Sequence, residues 1–311
     1  MRILDIDYEK MIIKKETIMD RVVYTIDNFY KHPNLVVSRF RKFQDKLTVE
    51  DNKYPGENLN FKEVFGGQQI NDHIDQLKQI LSAHGYDILS IANNPSYSKF
   101  CNKVALTKVF KTKVLKEQDT LCNPHSDCRP SCRPSSNLLA CLCYLSKDVH
   151  GGTGLYHNKQ LNMYSTDLNW EREIYYQLWR KIKASNSQEE ISDIIEAHYL
   201  DMNMKRFPKT ISEGCLNKSD EFFELMHYFP MKFNRLVVYQ GDILHGMYIE
   251  DLNFFKTHER LTTNYFFPIQ WGNQIENKKN LLTSDEYKLL AEMIADAKQR
   301  RPYIQSLINC S

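Results

Sequence analysis

No stretch of this 311-residue chain is long and apolar enough to cross a bilayer as a helix, so no membrane partner is expected. Charge of neither sign is in surplus. The 41 Lys and Arg against 39 Asp and Glu leave a net charge of +2, which gives no electrostatic reason to expect a nucleic-acid partner. No export leader is expected either. Met1-Arg2-Ile3-Leu4-Asp5-Ile6-Asp7 places acids where a leader needs an uninterrupted apolar core, which predicts a cytoplasmic protein with reduced thiols. The eight cysteines contain no Cys-x-x-Cys knuckle, the spacing that makes a zinc reading strong. With no internal repeat and no low-complexity segment, the length fits one domain with additions (1–311).

Against these absences stand four residues: His125 and Asp127 in Pro-His-Ser-Asp, His245 in Gly-Asp-Ile-Leu-His, and Arg260 in Arg-Leu-Thr-Thr-Asn-Tyr-Phe-Phe. On extended backbone, side chains at i and i+2 share a face, so His125 and Asp127 can point at one ion while Ser126 points away. His245 follows the apolar run Leu236-Val237-Val238-Tyr239 and the turn signal Gln240-Gly241-Asp242. Two imidazoles and a carboxylate suit a divalent iron with open positions. Arg260 opens a segment rich in β-branched and aromatic residues, read as a strand with Arg260, Thr262 and Asn264 on one face. A guanidinium there can fork a carboxylate, and the Thr262 hydroxyl can add a third hydrogen bond.

Further pieces extend the pattern: Tyr144-Leu145-Ser146 after an apolar run, Gly151-Gly152-Thr153-Gly154-Leu155-Tyr156, and Asn234-Arg235-Leu236-Val237-Val238-Tyr239. Together with His-x-Asp, the distal His and the Arg, they resemble the iron(II)- and 2-oxoglutarate-dependent dioxygenases. Asp27-Asn28-Phe29-Tyr30 and Tyr54-Pro55-Gly56 make the chain most similar, over roughly Val22 to Pro268, to a DUF6445-like subfamily of that group. The resemblance implies an α+β fold with a mainly β core, a double-stranded β-helix (a jelly-roll of the cupin kind). It implies His125, Asp127 and His245 as ligands of Fe(II). It also implies 2-oxoglutarate as co-substrate, held through its far carboxylate by Arg260 with Thr262 and Tyr144 assisting, and O2 as oxidant. Ascorbate is then the reductant expected to help in vitro. Because related halogenases leave the carboxylate position empty for a halide, Asp127 favours hydroxylation.

Periodicity fills in the rest. Residues 1–24 read as entry strands and 25–120 as a mixed support region, with a helix over 71–81 stopping at Gly85 and a strand over Lys103 to Leu115. The jelly-roll segments are 121–157 and 232–268. Between them, 158–231 reads as a helical insertion. It has helices from Trp170 to Lys183, after the capping pattern Ser187-Gln188-Glu189-Glu190, and from Ser219-Asp220-Glu221 through Phe222, Phe223 and Leu225. The tail 281–311 is helical, broken at Pro302. Cys141 and Cys143 read as buried small hydrophobes, and a zinc site from Cys122, Cys128, Cys132 and His125 is the minority reading. Gly151-Gly152 reads either as a hairpin turn or as a device that brings Thr153 and Tyr156 to the mouth of the site. The two arginines of the loop after the metal pair, Arg129 and Arg133, are candidates for a substrate anion.

The expected activity is hydroxylation of an unactivated C–H bond of a small molecule, amino acid or peptide, with release of succinate and CO2. Two other classes stay open. One is a zinc or iron hydrolase or isomerase on the same fold, which would ignore 2-oxoglutarate. The other is a catalytically silent cupin-like binding protein.

Overall fold

Two antiparallel β-sheets share an apolar layer, and helices cover the other face of the larger one. The computed structural model describes residues 2–46, 57–88, 103–107, 124–127, 136–148, 150–185, 187–206, 218–250, 258–270 and 281–310. The larger sheet contains β1 (Ile12–Ile18), β2 (Arg21–Asp27), β3 (Glu57–Asn60), β4 (Lys103–Thr107), β5 (Ser136–Tyr144), β8 (Arg235–Gln240) and β10 (Arg260–Gln270), in the order β1-β2-β8-β5-β10-β4-β3. The smaller sheet runs β7 (Phe223–Pro230), β6 (Gly152–Asn158), β9 (His245–Tyr248).

The central strands are buried on both faces, which is why they read as near-continuous apolar runs. In β5, Leu139, Cys141 and Cys143 join the core beneath α1 (Pro33–Arg41), α2 (Phe61–Phe65) and α3 (Gly67–Ala83). Ala140 and Tyr144 point the other way, into the layer they share with Leu155 of β6 and Phe229 of β7. The same parity splits β8 into Leu236 and Val238 against Val237 and Tyr239. In β10, Leu261, Tyr265, Phe267 and Ile269 face the helices, so Arg260, Thr262 and Asn264 face the inter-sheet layer, as their alternation predicts.

The motifs Asp27-Asn28-Phe29-Tyr30 and Asn234-Arg235 turn out to be one interlock. Arg235 forks Asp27 at 2.6 and 3.0 Å. The Asn234 carboxamide accepts from the Tyr30 amide (2.8 Å) and donates to the Tyr30 carbonyl (2.9 Å). Asn28 and Asn234 both adopt positive φ, which asparagine tolerates better than most residues. The Arg235 hydrogen bonds, helped by Lys232, hold the Asp27 carboxyl below the usual range against its partial burial. A depressed folded-state pKa contributes stability that is complete above the unfolded value, about 3.9, and is lost as pH falls through the folded value. Asp27→Asn is therefore expected to lower stability by about 1.5–3 kcal/mol near neutrality. The two proteins should converge once pH has fallen through the depressed folded-state value. Chemical denaturation from neutral to acid pH checks this, and an offset that persists undiminished at the acid end contradicts it.

α3 ends as its glycine predicts. Gly85 has φ +90°, and the Gly85 and Tyr86 amides donate back to the carbonyls of Ser82 (3.1 Å) and Leu81 (3.1 Å), a Schellman closure. The insertion holds α4 (Leu168–Ile182), capped by the Asp167 side chain, and α5 (Gln188–Arg206). The tail forms α6 (Ser284–Arg300) and α7 (Ile304–Cys310). These four helices share their own core of Leu178, Ile195, Leu290 and Ile304.

The expected helix from Ser219 is wrong, and with it the helical reading of 158–231 to its end. The Asp220 carboxylate accepts from the amides of Phe222 (2.8 Å) and Phe223 (2.6 Å), a turn rather than a helix cap, and the chain enters β7. The same side-chain chemistry serves both structures. Pairing of β7 with β6 along its whole length decides between them. The strand read over Lys103 to Leu115 is described only as β4, Lys103–Thr107; residues 108–115 lie outside the described residues.

Candidate metal centre

His125 and His245 exchange both backbone hydrogen bonds, each 2.8 Å, so the two histidines sit directly opposite each other at the edge of the smaller sheet. Two residues on, the Asp127 amide donates to the Gly241 carbonyl at 2.7 Å, and the Gly241 amide donates to the Leu138 carbonyl at 2.6 Å. This short ladder is extended backbone without a full strand, and it keeps the i, i+2 relation. Ser126 points away and accepts from the Thr166 hydroxyl at 2.9 Å. The approach at Gly241 is tight: a Cβ there would lie 3.1 Å from Leu138 Cβ and 3.3 Å from Asp127 Cβ.

The three side chains converge. One ligand atom from each of His125, Asp127 and His245 lies within 4.8 Å of the other two. Asp127 Oδ2 is 3.2 Å from His245 Nε2, and Oδ1 is 4.0 Å from His125 Nε2, so one carboxylate oxygen faces each imidazole. The His245 Nδ1 proton is directed at the Ile243 carbonyl at 2.8 Å, which leaves Nε2 as the ring nitrogen that faces Asp127. Burial works to lower the His245 pKa, but the Asp127 charge and hydrogen bond outweigh it, so the imidazole is shifted upward. A cation bound here would take over the role of that proton.

The second group lies on the inner face of the larger sheet. Tyr144 and Thr262 are register partners on β5 and β10, both fully buried. The Arg260 guanidinium is 2% exposed and sits 5.4 Å from the centre of the Tyr144 ring. Its Nε has no hydrogen-bond partner, and it forms no ion pair with a carboxylate among the described residues. The Tyr144 hydroxyl is held by Thr153 Oγ1 at 2.7 Å. Burial pushes the Tyr144 phenol up while Arg260 pulls it down.

Tyr239 joins the two groups, and sequence reasoning gave it no role. Its ring packs on His245 with centroids 4.7 Å apart, and its buried phenol is raised well above the usual range, first by burial and then by the Asp127 charge, with Arg260 opposing. Strand parity was the available signal, since Tyr239 shares a face with Val237 in the strand that leads to His245.

Other expectations resolve differently. Gly151 and Gly152 do not form a hairpin turn: Gly152 opens β6, between β7 and β9. Thr153 does reach Tyr144, whereas Tyr156 is fully buried against Phe223 and belongs to the core, away from any mouth. Cys141 and Cys143 are buried free thiols whose pKa values burial raises. Cys122, Cys128, Cys132, Arg129, Arg133 and Tyr54-Pro55-Gly56 lie outside the described residues.

The profile of a family described as a "family of unknown function (DUF6445)" matches residues 9–207 and 178–267. The chain belongs to that family. The matched span of this DUF6445 member takes in both sheets, the metal-ligand cluster and Arg260. No match is found among the curated proteins or the solved structures. Among the described residues of this DUF6445 chain, no helix is long and apolar enough to cross a membrane.

Proposed function

We propose that this protein is an iron(II)- and 2-oxoglutarate-dependent oxygenase that hydroxylates a C–H bond of a small molecule, amino acid or peptide. The observation that carries the reading is the pairing of two features in one inter-sheet layer. One is the His125, Asp127, His245 cluster; the other is a buried arginine with an unpartnered Nε and no carboxylate neighbour among the described residues. A buried guanidinium left without a counter-charge is costly, and a bound dicarboxylate relieves that cost. The strand orders support a double-stranded β-helix. In the seven-stranded sheet β8-β5-β10-β4 are neighbours, and a bridge from His125 to His245 extends the three-stranded sheet beyond β9.

The donor set fits ferrous iron: two imidazoles and one carboxylate, one imidazole oriented by a backbone carbonyl. When bound, iron(II) with 2-oxoglutarate supplies the oxidising power for O2-dependent hydroxylation, with succinate and CO2 as by-products. The chain's own groups do the rest. Arg260 would hold the far carboxylate of 2-oxoglutarate, and Thr262 on the same face would add a hydroxyl donor. Tyr144 carries the guanidinium on its ring and is itself tied to Thr153. Tyr239, Val237 and Leu155 keep the layer between the sheets dry, which strengthens each of these electrostatic contacts.

Succinate formed from 2-oxoglutarate in air, with Fe(II) and ascorbate, tests the reading. Wild type is expected to turn over slowly even without its prime substrate, and His125→Ala is expected not to. A hydrolase or isomerase on this fold would leave 2-oxoglutarate untouched, and a silent binding protein would take up metal without making succinate. Arg260→Met should raise the KM for 2-oxoglutarate by about tenfold or more, equivalent to about 1.4 kcal/mol or more, with metal affinity little changed. Equal KM values for wild type and Arg260→Met would remove the co-substrate assignment.

A further inference from the structure

Behind the metal cluster lies a buried ionic group that the proposed chemistry does not use. The Asp242 carboxylate is fully buried, although an isolated buried carboxylate is strongly disfavoured. Its Oδ1 accepts from Asn137 Nδ2 at 2.7 Å, and its Oδ2 lies 3.4 Å from Arg21 Nη2. Arg21, 5% exposed, also pairs with Asp167 at 2.9 Å and with Asp20 at 2.9 Å. Burial raises the Asp242 carboxyl and Arg21 works against it. Arg21 comes from β2, Asn137 from β5, and Asp167 is the cap of α4, so the group ties three separate elements to one turn.

That turn is where two ligands are aimed. Gly241, immediately before Asp242, offers the carbonyl that receives the Asp127 amide. Ile243, immediately after, offers the carbonyl that receives His245 Nδ1. The peptide carbonyl of Asp242 itself receives the Thr166 amide at 2.8 Å, and the Thr166 hydroxyl reaches Ser126, between the other two ligands. A rotation of the Asp242 peptide would therefore misdirect Asp127 and His245 together.

We propose that the Arg21–Asp242–Asn137 cluster is a positioning device for the metal centre, setting how tightly His125, Asp127 and His245 grip a divalent cation. The inference rests on the metal-binding half of the function proposed above. Asp242 touches neither metal nor substrate in this account. It acts through the two carbonyls that flank it, as outer-shell partners do.

The test uses metal affinity in the absence of turnover. Apo-protein is titrated anaerobically with Mn(II), free Mn(II) is read by electron paramagnetic resonance, and the melting temperature of each apo-protein is recorded. Asp242→Asn is expected to weaken Mn(II) binding by about 10–100-fold, the range for outer-shell partners of a metal ligand. Asp27→Asn serves as control, because it breaks a partly buried ion pair of the same sheet far along the strands from the turn. It should lower the melting temperature and leave the Mn(II) dissociation constant unchanged. If both variants lose stability and both keep wild-type affinity, the cluster is merely structural and the proposal is overturned. Should Asp242→Asn not fold, Asn137→Ala removes the 2.7 Å partner of the Asp242 carboxylate, and an unchanged dissociation constant there overturns it equally. Wild type that takes up no Mn(II) defeats the metal reading itself, which is a different outcome from either of these.

Discussion

Asp127→Ala is expected to weaken divalent-metal binding by more than about 100-fold, beyond the effect typical of groups that merely orient a ligand. It should abolish any succinate formation with it. Asp127 places one oxygen toward each imidazole, 4.0 Å from His125 Nε2 and 3.2 Å from His245 Nε2. Without it the site keeps two imidazole nitrogens on opposed segments and loses the carboxylate that would balance a dication. The fold should survive, because Asp127 contributes its backbone amide to the Gly241 carbonyl, and alanine retains that hydrogen bond. The same calorimetric or resonance titration that measures wild type measures this variant, with circular dichroism to confirm structure. Retained affinity within a few-fold would mean that the carboxylate is a bystander, and the three-residue centre would have to be abandoned.

Gly152→Ala should be strongly damaging, because one added methyl group meets the backbone of a paired strand. A Cβ at Gly152 would stand 1.9 Å from the Phe229 carbonyl oxygen and 2.8 Å from the Tyr228 ring. The nearest obstacle is backbone of the paired strand, so no rotamer change relieves it. β6 must part from β7, and β6 also carries β9, where Leu155 faces His245. A loss of about 3 kcal/mol, the upper end for overpacking, is expected in denaturant unfolding, together with weaker metal binding because His245 moves with its strand. Gly67→Ala is the contrasting case. Its Cβ meets nothing within 4 Å at the start of α3, and stability should hold or rise slightly. Equal stabilities for the two variants would show that the glycine run is not needed for close packing of the smaller sheet.

The residues that resemble a family signature divide into two kinds once they are placed. His125, Asp127 and His245 converge into one cluster, and Arg260 is buried against Tyr144; these are the residues the proposed function uses. Asp27, Asn28, Asn234 and Arg235 are not among them: they lock the end of β2 to the start of β8. Sequence reading could group them but not sort them, because an arginine that forks an internal aspartate and one with no ion pair among the described residues look alike in a string. The misread Ser219 segment has the same origin. Ser and Asp before apolar residues suit a helix start and a strand-entry turn equally, and only the partner strand β6 chooses.

Along the chain alone, local periodicity determined much. The i, i+2 relation put His125 and Asp127 on one face, alternation put Arg260 with Thr262, the 3.6-residue repeat placed α3 and its Gly85 stop, and Pro302 divided the tail. These follow from backbone geometry that each residue carries with it. What only the tertiary structure decided is which distant segments meet: His245 opposite His125, Tyr239 beneath His245 and beside Arg260, and Asp242 buried between Arg21 and Asn137. Those contacts depend on how two sheets pair and stack. That is a property of the whole chain's burial, and no window of sequence contains it.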